Sequence, residues 1–177
     1  MPEKVDFGAA RKQAEDAGLL GGGGFYKYRE GDNRLRLMTK CLPHTSEFNG
    51  QKNFKWLCYI LDRRDGKVKA HFMPHKIYKA IEALQTSEDY RFAEVPMPYD
   101  VTIHAKGAGT KDVEYTVMPA RKETPLTADE EHDLARQKTL EEIKDALRDK
   151  QKSSTPAHDG APHPAVTEDE LDGAVPF

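Results

Sequence analysis

Two segments in the middle of the chain predict a β-hairpin. Residues 54–61 (FKWLCYIL) are nearly all apolar, residues 67–73 (KVKAHFM) alternate between apolar and polar, and Asp65-Gly66 between them is a strong turn signal. A loop of two or of four residues leaves the same side chains on each face. One face is expected to be core and holds Leu57, Tyr59, Leu61, Val68, Ala70 and Phe72. The other is expected to be exposed and holds Phe54, Trp56, Cys58, Ile60, Lys67, Lys69, His71 and Met73.

Alternation predicts further strands on both sides of this hairpin. Before it, apolar residues take every second position in residues 25–29 and 34–38, on either side of a Gly-Asp-Asn turn signal. After it, residues 99–105 and 113–117 alternate in the same way. We interpret residues 41–53 (CLPHTSEFNGQKN) as a long loop at the rim of the sheet.

Helical spacing is found in three segments. Residues 3–20 are alanine-rich and precede four consecutive glycines, which predicts a helical arm on a flexible joint. Residues 74–85 carry apolar side chains at helical spacing after an initial proline. Residues 127–150 predict one amphipathic helix, with Thr127 as its N-cap and Glu130 three residues later.

The order of strands and helices is typical of an OB-fold, a five-stranded barrel that is partly open and has its helix between strands 3 and 4. An SH3-like small barrel is the alternative. The sequence therefore predicts a mainly β protein with four parts. These are a helical arm and glycine linker (1–24), an OB-fold domain (25–120), a C-terminal helix (121–150) and a disordered acidic tail (151–177).

Composition agrees with a small core carrying polar extensions. The 177 residues have room for one domain, and 37% are hydrophobic and 32% charged, against roughly 45–50% and about 25% in an average globular chain. The chain has no apolar run near the roughly 18 residues that a membrane span needs, and its start lacks the apolar stretch of a signal peptide. We expect a cytoplasmic protein whose two cysteines remain thiols.

Charge is divided unevenly along the chain. The formal net charge is −3, but residues 25–120 sum to +4, whereas residues 153–177 contain five acidic residues and no lysine or arginine. A basic body with an acidic tail is compatible with a nucleic-acid partner, which the net charge alone disfavours.

The predicted exposed face of the hairpin combines flat rings with cations. A surface for single-stranded nucleic acid needs rings for bases to stack on and cations beside the phosphates. The alternative is that Phe54 and Trp56 pack under the long loop or the C-terminal helix. The predicted DNA-binding residues are Tyr26, Tyr28, Arg34, Arg36, Phe54, Lys55, Trp56, Lys67, Lys69 and His71.

The sequence contains possible ligands of a zinc site and lacks the motifs of an enzymatic site. Cys41, His44, Cys58, His71 and His75 are possible zinc ligands, but paired Cys-x-x-Cys spacing is missing and an isolated cysteine is usually a small buried hydrophobe. No phosphate-binding glycine loop or catalytic triad has supporting context in the sequence. We therefore expect no metal, no cofactor and no catalysis.

The last ten residues (EDELDGAVPF) carry four carboxylates and end in Pro-Phe. An acidic solubilising end is the simple interpretation, but it leaves the terminal aromatic residue unexplained. An aromatic ring beside a terminal carboxylate can anchor in a pocket lined by apolar and basic side chains. The predicted partner-binding residues are Asp169, Glu170, Asp172, Pro176 and Phe177.

This tip resembles that of bacterial single-stranded DNA-binding proteins, with Pro176 and Phe177 matching its end. From FYKYREGDNRLRLM through WLCYILDRRDGKVKAHFMPHKIYKAIEAL to YDVTIHAKGAGTKDVEYTVMP, the body resembles OB-fold single-stranded DNA-binding proteins of tailed bacteriophages. The resemblance implies that the tip recruits replication and repair proteins and competes with DNA for the groove. It also implies that basic and aromatic sheet residues contact the strand, here Arg34, Arg36, Trp56 and Lys69.

Some phage relatives carry a basic N-terminal arm and a zinc-holding Cys/His cluster. Residues 1–24 of this chain instead sum to −1, and its cysteine set is incomplete. We expect a non-enzymatic protein that binds single-stranded DNA without sequence preference in replication, recombination or repair. The alternatives are an adaptor that mimics the host tip without binding DNA, and an RNA-binding OB-fold.

Overall fold

A computed structural model describes residues 25–48 and 50–153. The predicted helical arm, the glycine linker and all but the first three residues of the predicted tail lie outside the described residues. The described part contains six strands and three helices. The strands are β1 (Gly31–Leu37), β2 (Leu42–Phe48), β3 (Gln51–Asp62), β4 (Lys67–Met73), β5 (Val101–Lys106) and β6 (Glu114–Pro119). The helices are α1 (His75–Gln85), α2 (Ala128–Ala135) and α3 (Leu140–Ser153).

The strands form one antiparallel sheet in which β3 has three partners. On one edge, β2 pairs with the first half of β3 and β1 pairs with its end. On the other edge, β4 pairs with β3 from Trp56 to Asp62. Beyond β1 follow β5 and then β6. The predicted mainly β fold is confirmed, but the predicted barrel is not closed, because no pairing joins β4 to β6 in the described part of the chain.

A short extended segment, residues 25–28, lies between the edges of β4 and β6. Phe25 and Ala70 form a parallel bridge, and the Tyr26 amide donates to the Ala70 carbonyl at 2.8 Å. On the other side the Tyr28 ring lies 5.1 Å from the ring of Tyr115 in β6. The predicted strand at residues 25–29 is therefore wrong, because these residues make only one bridge, to β4 more than forty residues along the chain, and the predicted turn at Gly31-Asp32-Asn33 is the beginning of β1.

The predicted loop at residues 41–53 is instead a hairpin formed by β2 and the start of β3. Phe48 pairs with Gln51, and Gly50 between them has φ +72°, a value that glycine adopts without steric cost. Most of this hairpin is exposed, and both of its strands carry polar side chains. Alternation between apolar and polar residues therefore does not predict β2. An Asn-Gly pair in the sequence, which ends at Gly50, was the available signal.

The two faces of the β3–β4 hairpin have the predicted members, but each face contributes buried side chains to a core. Cys58, Ile60 and Met73, which we expected to be exposed, join β1, β5 and α1 in the main core. Tyr59, Leu61, Val68 and Ala70, on the opposite face, form a second cluster beneath α2 and α3. Alternation sorts side chains between faces, but only the long-range packing decides which face meets water.

The C-terminal segment forms two helices rather than the single predicted one. The capping box at Thr127 and Glu130 is present and begins α2. Residues 136–139 break the helix, and a second box then begins α3: the Thr139 amide donates to Glu142 Oε2 at 2.7 Å, and the Glu142 amide donates to Thr139 Oγ1 at 3.2 Å.

Candidate nucleic-acid interface

Three of the predicted DNA-binding residues, Tyr26, Tyr28 and His71, belong to a hydrogen-bonded group inside the fold. His71 Nδ1 lies 3.2 Å from the Tyr26 carbonyl, which can only accept, so Nδ1 carries the proton. The Tyr28 hydroxyl then donates to His71 Nε2 at 2.8 Å. Burial lowers the pKa of His71 to about 4, so the ring is neutral at pH 7. These side chains are engaged with one another and present no cation to a ligand.

The two predicted arginines of β1 both bind Asp100. They lie on the outer side of the sheet, which is the face that carries the second apolar cluster. Arg36 is 1% exposed, and its Nε donates to Asp100 Oδ1 at 2.8 Å. Arg34 Nε donates to Asp100 Oδ2 at 3.0 Å, while 59% of its side chain remains exposed. Arg36 is therefore part of a buried ion cluster, and Arg34 is the one of the two that solvent reaches.

Lys67 and Lys69 lie at the far end of β4 from Trp56. In the β3–β4 register, Lys67 lies opposite Asp62 and Met73 lies opposite Trp56. About 20 Å of strand therefore separates Lys67 from Trp56, at ~3.3 Å per residue. Lys69 also holds two carboxylates, Asp62 at 2.9 Å and Asp65. The ten predicted residues thus do not form one continuous surface.

Phe54 and Trp56 do come together, and two α1 residues that the prediction missed, His75 and Tyr78, join them. The Trp56 ring stacks on Tyr78 with centroids 3.9 Å apart and planes 14° from parallel. Phe54 meets the Trp56 ring edge-on at 5.2 Å, and Trp56 Nε1 donates to His75 Nδ1 at 3.1 Å. Phe54 is 43% exposed. We call Phe54, Trp56, His75 and Tyr78 the aromatic surface.

The position of α1 brings His75 and Tyr78 to this surface, which alternation along the strands does not predict. The helix begins two residues after Met73, which pairs with Trp56, so its first turn must lie beside the Trp56 ring. His75 and Tyr78 are three residues apart and share a helix face. The signal was a helix starting directly after a strand whose last residue is the register partner of the tryptophan.

A cavity of about 320 Å³ adjoins the aromatic surface at Tyr78. Its walls hold both apolar and polar side chains and come from β1 and the residues after it, the end of β4, α1 and the segment between α1 and β5. They include Lys40, Cys41, Met73, Ile81, Glu82 and Phe92. The cavity and the four rings together make one mixed aromatic and apolar region at the α1 end of the sheet.

Several lysines surround this region. Lys52 lies two residues before Phe54 on the same face of β3, and Lys79 follows His75 by one helical turn. Lys40 lines the cavity. Lys55, a predicted contact, is partly buried on the opposite face of β3 and pairs with His44. Cations therefore approach the rings from β3, from α1 and from the cavity.

The proposed zinc ligands do not converge. Across residues 25–48 and 50–153, no group of three or more His, Cys, Asp or Glu side chains is placed to hold a metal ion. Cys41 and Cys58 are free thiols, and a hydrogen bond with Cys41 together with burial raises the pKa of Cys58 well above its ordinary value. The predicted absence of a metal stays a prediction.

No protein-family model, curated protein or solved structure matches this chain. The resemblance to phage and bacterial single-stranded DNA-binding proteins therefore stays a prediction. The predicted partner-binding residues of the tip lie outside the described residues. None of the helices in the part that the structure covers is long and apolar enough to cross a membrane.

Proposed function

We propose that the protein binds single-stranded DNA without sequence preference through the aromatic surface. The observation that carries this proposal is the stacked Trp56–Tyr78 pair with the exposed Phe54 ring at its edge. Every base has a flat face, and stacking a base on an aromatic side chain is worth roughly 1–3 kcal/mol. Rings that already stand together therefore suit unpaired bases of any sequence.

The cations of this region suit the backbone of the same strand. Lys40, Lys52 and Lys79 border the rings and the adjoining cavity, and residues 25–120 carry a net charge of +4. Each phosphate neutralised by a lysine or arginine releases counterions, so binding weakens as salt rises. This proposed site differs from the predicted one, because it keeps only Phe54 and Trp56 of the ten predicted residues and adds α1 and the cavity.

We further propose that the fold is an open variant of the OB-fold. β1 and β2 both pair with one edge of β3, and the Met38 amide donates to the Tyr59 carbonyl at 2.9 Å just after β1 ends. Counting β1 and β2 as one bent strand gives five strands with α1 between the third and fourth. In this architecture the ligand-binding loops include the first hairpin, which here leads directly to Phe54.

In this proposal the protein protects single-stranded DNA during replication, recombination or repair, and its acidic tip recruits partner proteins. The support for recruitment is the sequence of the tip and its resemblance to the bacterial family. A terminal aromatic ring with its carboxylate offers both an apolar and an anionic contact to a partner pocket.

Fluorescence tests the DNA-binding proposal directly, because Trp56 is the only tryptophan of the chain. Titrating the full chain with oligo-dT should quench its emission saturably, and the apparent affinity should fall as salt is raised. Replacing the exposed ring in Phe54→Ala should weaken binding about 5- to 150-fold, which corresponds to the loss of one stacked base.

The matched control is Met118→Ala, because Met118 is the other exposed large hydrophobic side chain in the described part of the chain and lies on β6. This variant should bind as the wild type does. Unchanged tryptophan emission together with no gel shift at low salt would contradict the proposal. Tighter binding of an RNA oligomer at matched salt would favour the RNA-binding alternative, and tip-dependent protein binding without nucleic-acid binding would favour the adaptor.

A further inference from the structure

A second cavity, of about 430 Å³, opens on the outer side of the sheet where β1, the end of β3 and the approach to β5 meet. We propose that it binds a phosphate group. Its walls hold three arginines and two aspartates, and Arg34 is the one predicted DNA-binding residue among them. The lining residues are Asp32, Arg34, Arg63, Arg64, Asp100 and Thr124.

The carboxylate at the base of this cavity is already neutralised. Asp100 is buried and binds Arg34 at 3.0 Å, Arg36 at 2.8 Å and Arg63 at 3.0 Å. Burial alone would raise the pKa of Asp100, but hydrogen bonds and charges from Arg63 and Arg36 outweigh burial and lower it. Three guanidinium groups meet two carboxylates here, Asp100 and the Glu130 that pairs with Arg63, which leaves one net positive charge for an incoming anion. Asp32, at the rim, faces His104 at 2.7 Å.

Arg63 supplies an independent sign of a missing acceptor. Its Nε donates to Asp100 and its Nη1 pairs with Glu130, which fixes the guanidinium in place. Its Nη2 is buried and has no hydrogen-bond partner within the part of the chain that the structure covers. A buried donor without an acceptor costs roughly 1–3 kcal/mol. A phosphate oxygen is a strong acceptor for such a group.

Arg34 and Arg64 provide the exposed donors. Arg34 uses its Nε on Asp100, which leaves its two terminal nitrogens at the cavity. Arg64 Nη2 lies 3.3 Å from the Tyr26 hydroxyl, and its side chain is 37% exposed. Exposed side chains change rotamer within nanoseconds, so both can shift to let an oxyanion reach Arg63. The planar fork of arginine matches two phosphate oxygens at once.

This site is separate from the aromatic surface and does not depend on the proposed function. Phe54 and Arg63 are nine residues apart, and the intervening strand extends about 30 Å at ~3.3 Å per residue. A phosphate group can come from a nucleic-acid backbone or from a small phosphate compound. The chemistry of recognition is the same for both, so the experiment must tell the sources apart.

The test uses the full chain and follows the arginine Nε–H signals by ¹H–¹⁵N NMR. Inorganic phosphate, added against chloride at matched ionic strength, should shift the Arg63 signal saturably. In the double variant R34Q/R64Q the apparent dissociation constant should rise at least about tenfold, the effect of 1.4 kcal/mol. Both changed side chains are substantially exposed, and circular dichroism checks that the fold is kept.

The matched control is R91Q/K111Q, which removes the same charge from two exposed residues outside the cavity. It should bind phosphate as the wild type does. A second titration uses oligo-dT. Saturable shifts with phosphate alone support a small phosphate compound as the ligand, and shifts with both probes support a backbone phosphate. Equal loss in the two double variants, or no saturable shift with either probe, overturns the proposal even if Trp56 reports DNA binding.

Discussion

His71 shows how one side chain changes its role when the fold is known. In the sequence it is a cation beside aromatic residues, whereas in the structure it is a neutral ring that accepts from Tyr28 and donates to the Tyr26 carbonyl. The group holds residues 25–28 against β4 at the open side of the sheet. Alternation placed His71 on the correct face of the hairpin, but its burial results from contacts with residues more than forty positions away.

The pKa of His71 leads to a prediction about stability. Its value of about 4 in the folded chain lies below the ~6.5 of an unfolded chain, so between these values the unfolded chain binds a proton that the folded chain does not. The free energy of unfolding therefore keeps its full value above about pH 6.5. It falls by up to roughly 3 kcal/mol as the pH drops to 4.

Urea unfolding measured from pH 7 to pH 4 checks this prediction. In His71→Gln the amide cannot take up the proton, so this variant should lose the added decline in the free energy of unfolding. The control His132→Gln changes an exposed histidine of α2 and should keep the decline. A decline of the same size in His71→Gln and in the wild type would show that other groups cause it.

At the scale of elements, α2 and α3 form a cover over the outer face of β3 and β4. Leu134, Leu140 and Ile143 pack on the second apolar cluster, and the Tyr59 hydroxyl donates to the Lys138 carbonyl at 2.7 Å between the two helices. The apolar spacing of residues 127–150 predicted helix correctly. The break was also present in the sequence, as a second Thr-x-x-Glu box at residues 139–142.

This second box leads to a prediction for α3. Thr139→Ala removes the hydroxyl that accepts from the Glu142 amide and should lower the free energy of unfolding by about 1 kcal/mol. Thr139→Ser keeps the hydroxyl and should stay close to the wild type. Chemical denaturation of the three proteins measures the difference. Equal stability of the alanine and serine variants would mean that the cap contributes nothing.

At the scale of the whole molecule, local patterns predicted most strands and their faces, yet they did not predict which face is enclosed. That outcome depends on β1 and β5 closing over Cys58 and Ile60, and on the later helices covering Tyr59 and Leu61. The aromatic surface shows the same limit. Phe54 and Trp56 were identified from residue type and alternation, but their partners on α1 are adjacent only because of the β3–β4 register.

The division of charge leads to a prediction about the complete chain. Residues 168–177 carry four carboxylates beside a body with a net charge of +4, so they can compete with phosphates for its cations. Deleting them should tighten oligo-dT binding and abolish partner binding. Gel shifts at several salt concentrations measure the first effect, and binding to purified replication proteins measures the second.

Neutralising the acidic side chains of the tip separates its effect on DNA affinity from its binding of partner proteins. In E168Q/D169N/E170Q/D172N the four side-chain carboxylates are removed while Pro176, Phe177 and the terminal carboxylate remain, so DNA affinity should approach that of the deletion. Weaker DNA binding after the deletion would contradict competition by the tip.

The pairing of β3 with β2 and β4 affects how single-stranded DNA would bind at the aromatic surface. Past Trp56 the β4 partner ends, and Gln51 to Lys55 are held by β2 alone among the described strands. A two-stranded ribbon twists more strongly and is less stable than a wider sheet. In the proposed complex with DNA, Phe54 stands at the less stable end of the hairpin, whereas Trp56 is held by Met73 of β4 and Tyr78 of α1, so we expect the Phe54 ring to adjust its distance to a second base after a first base has stacked at Trp56.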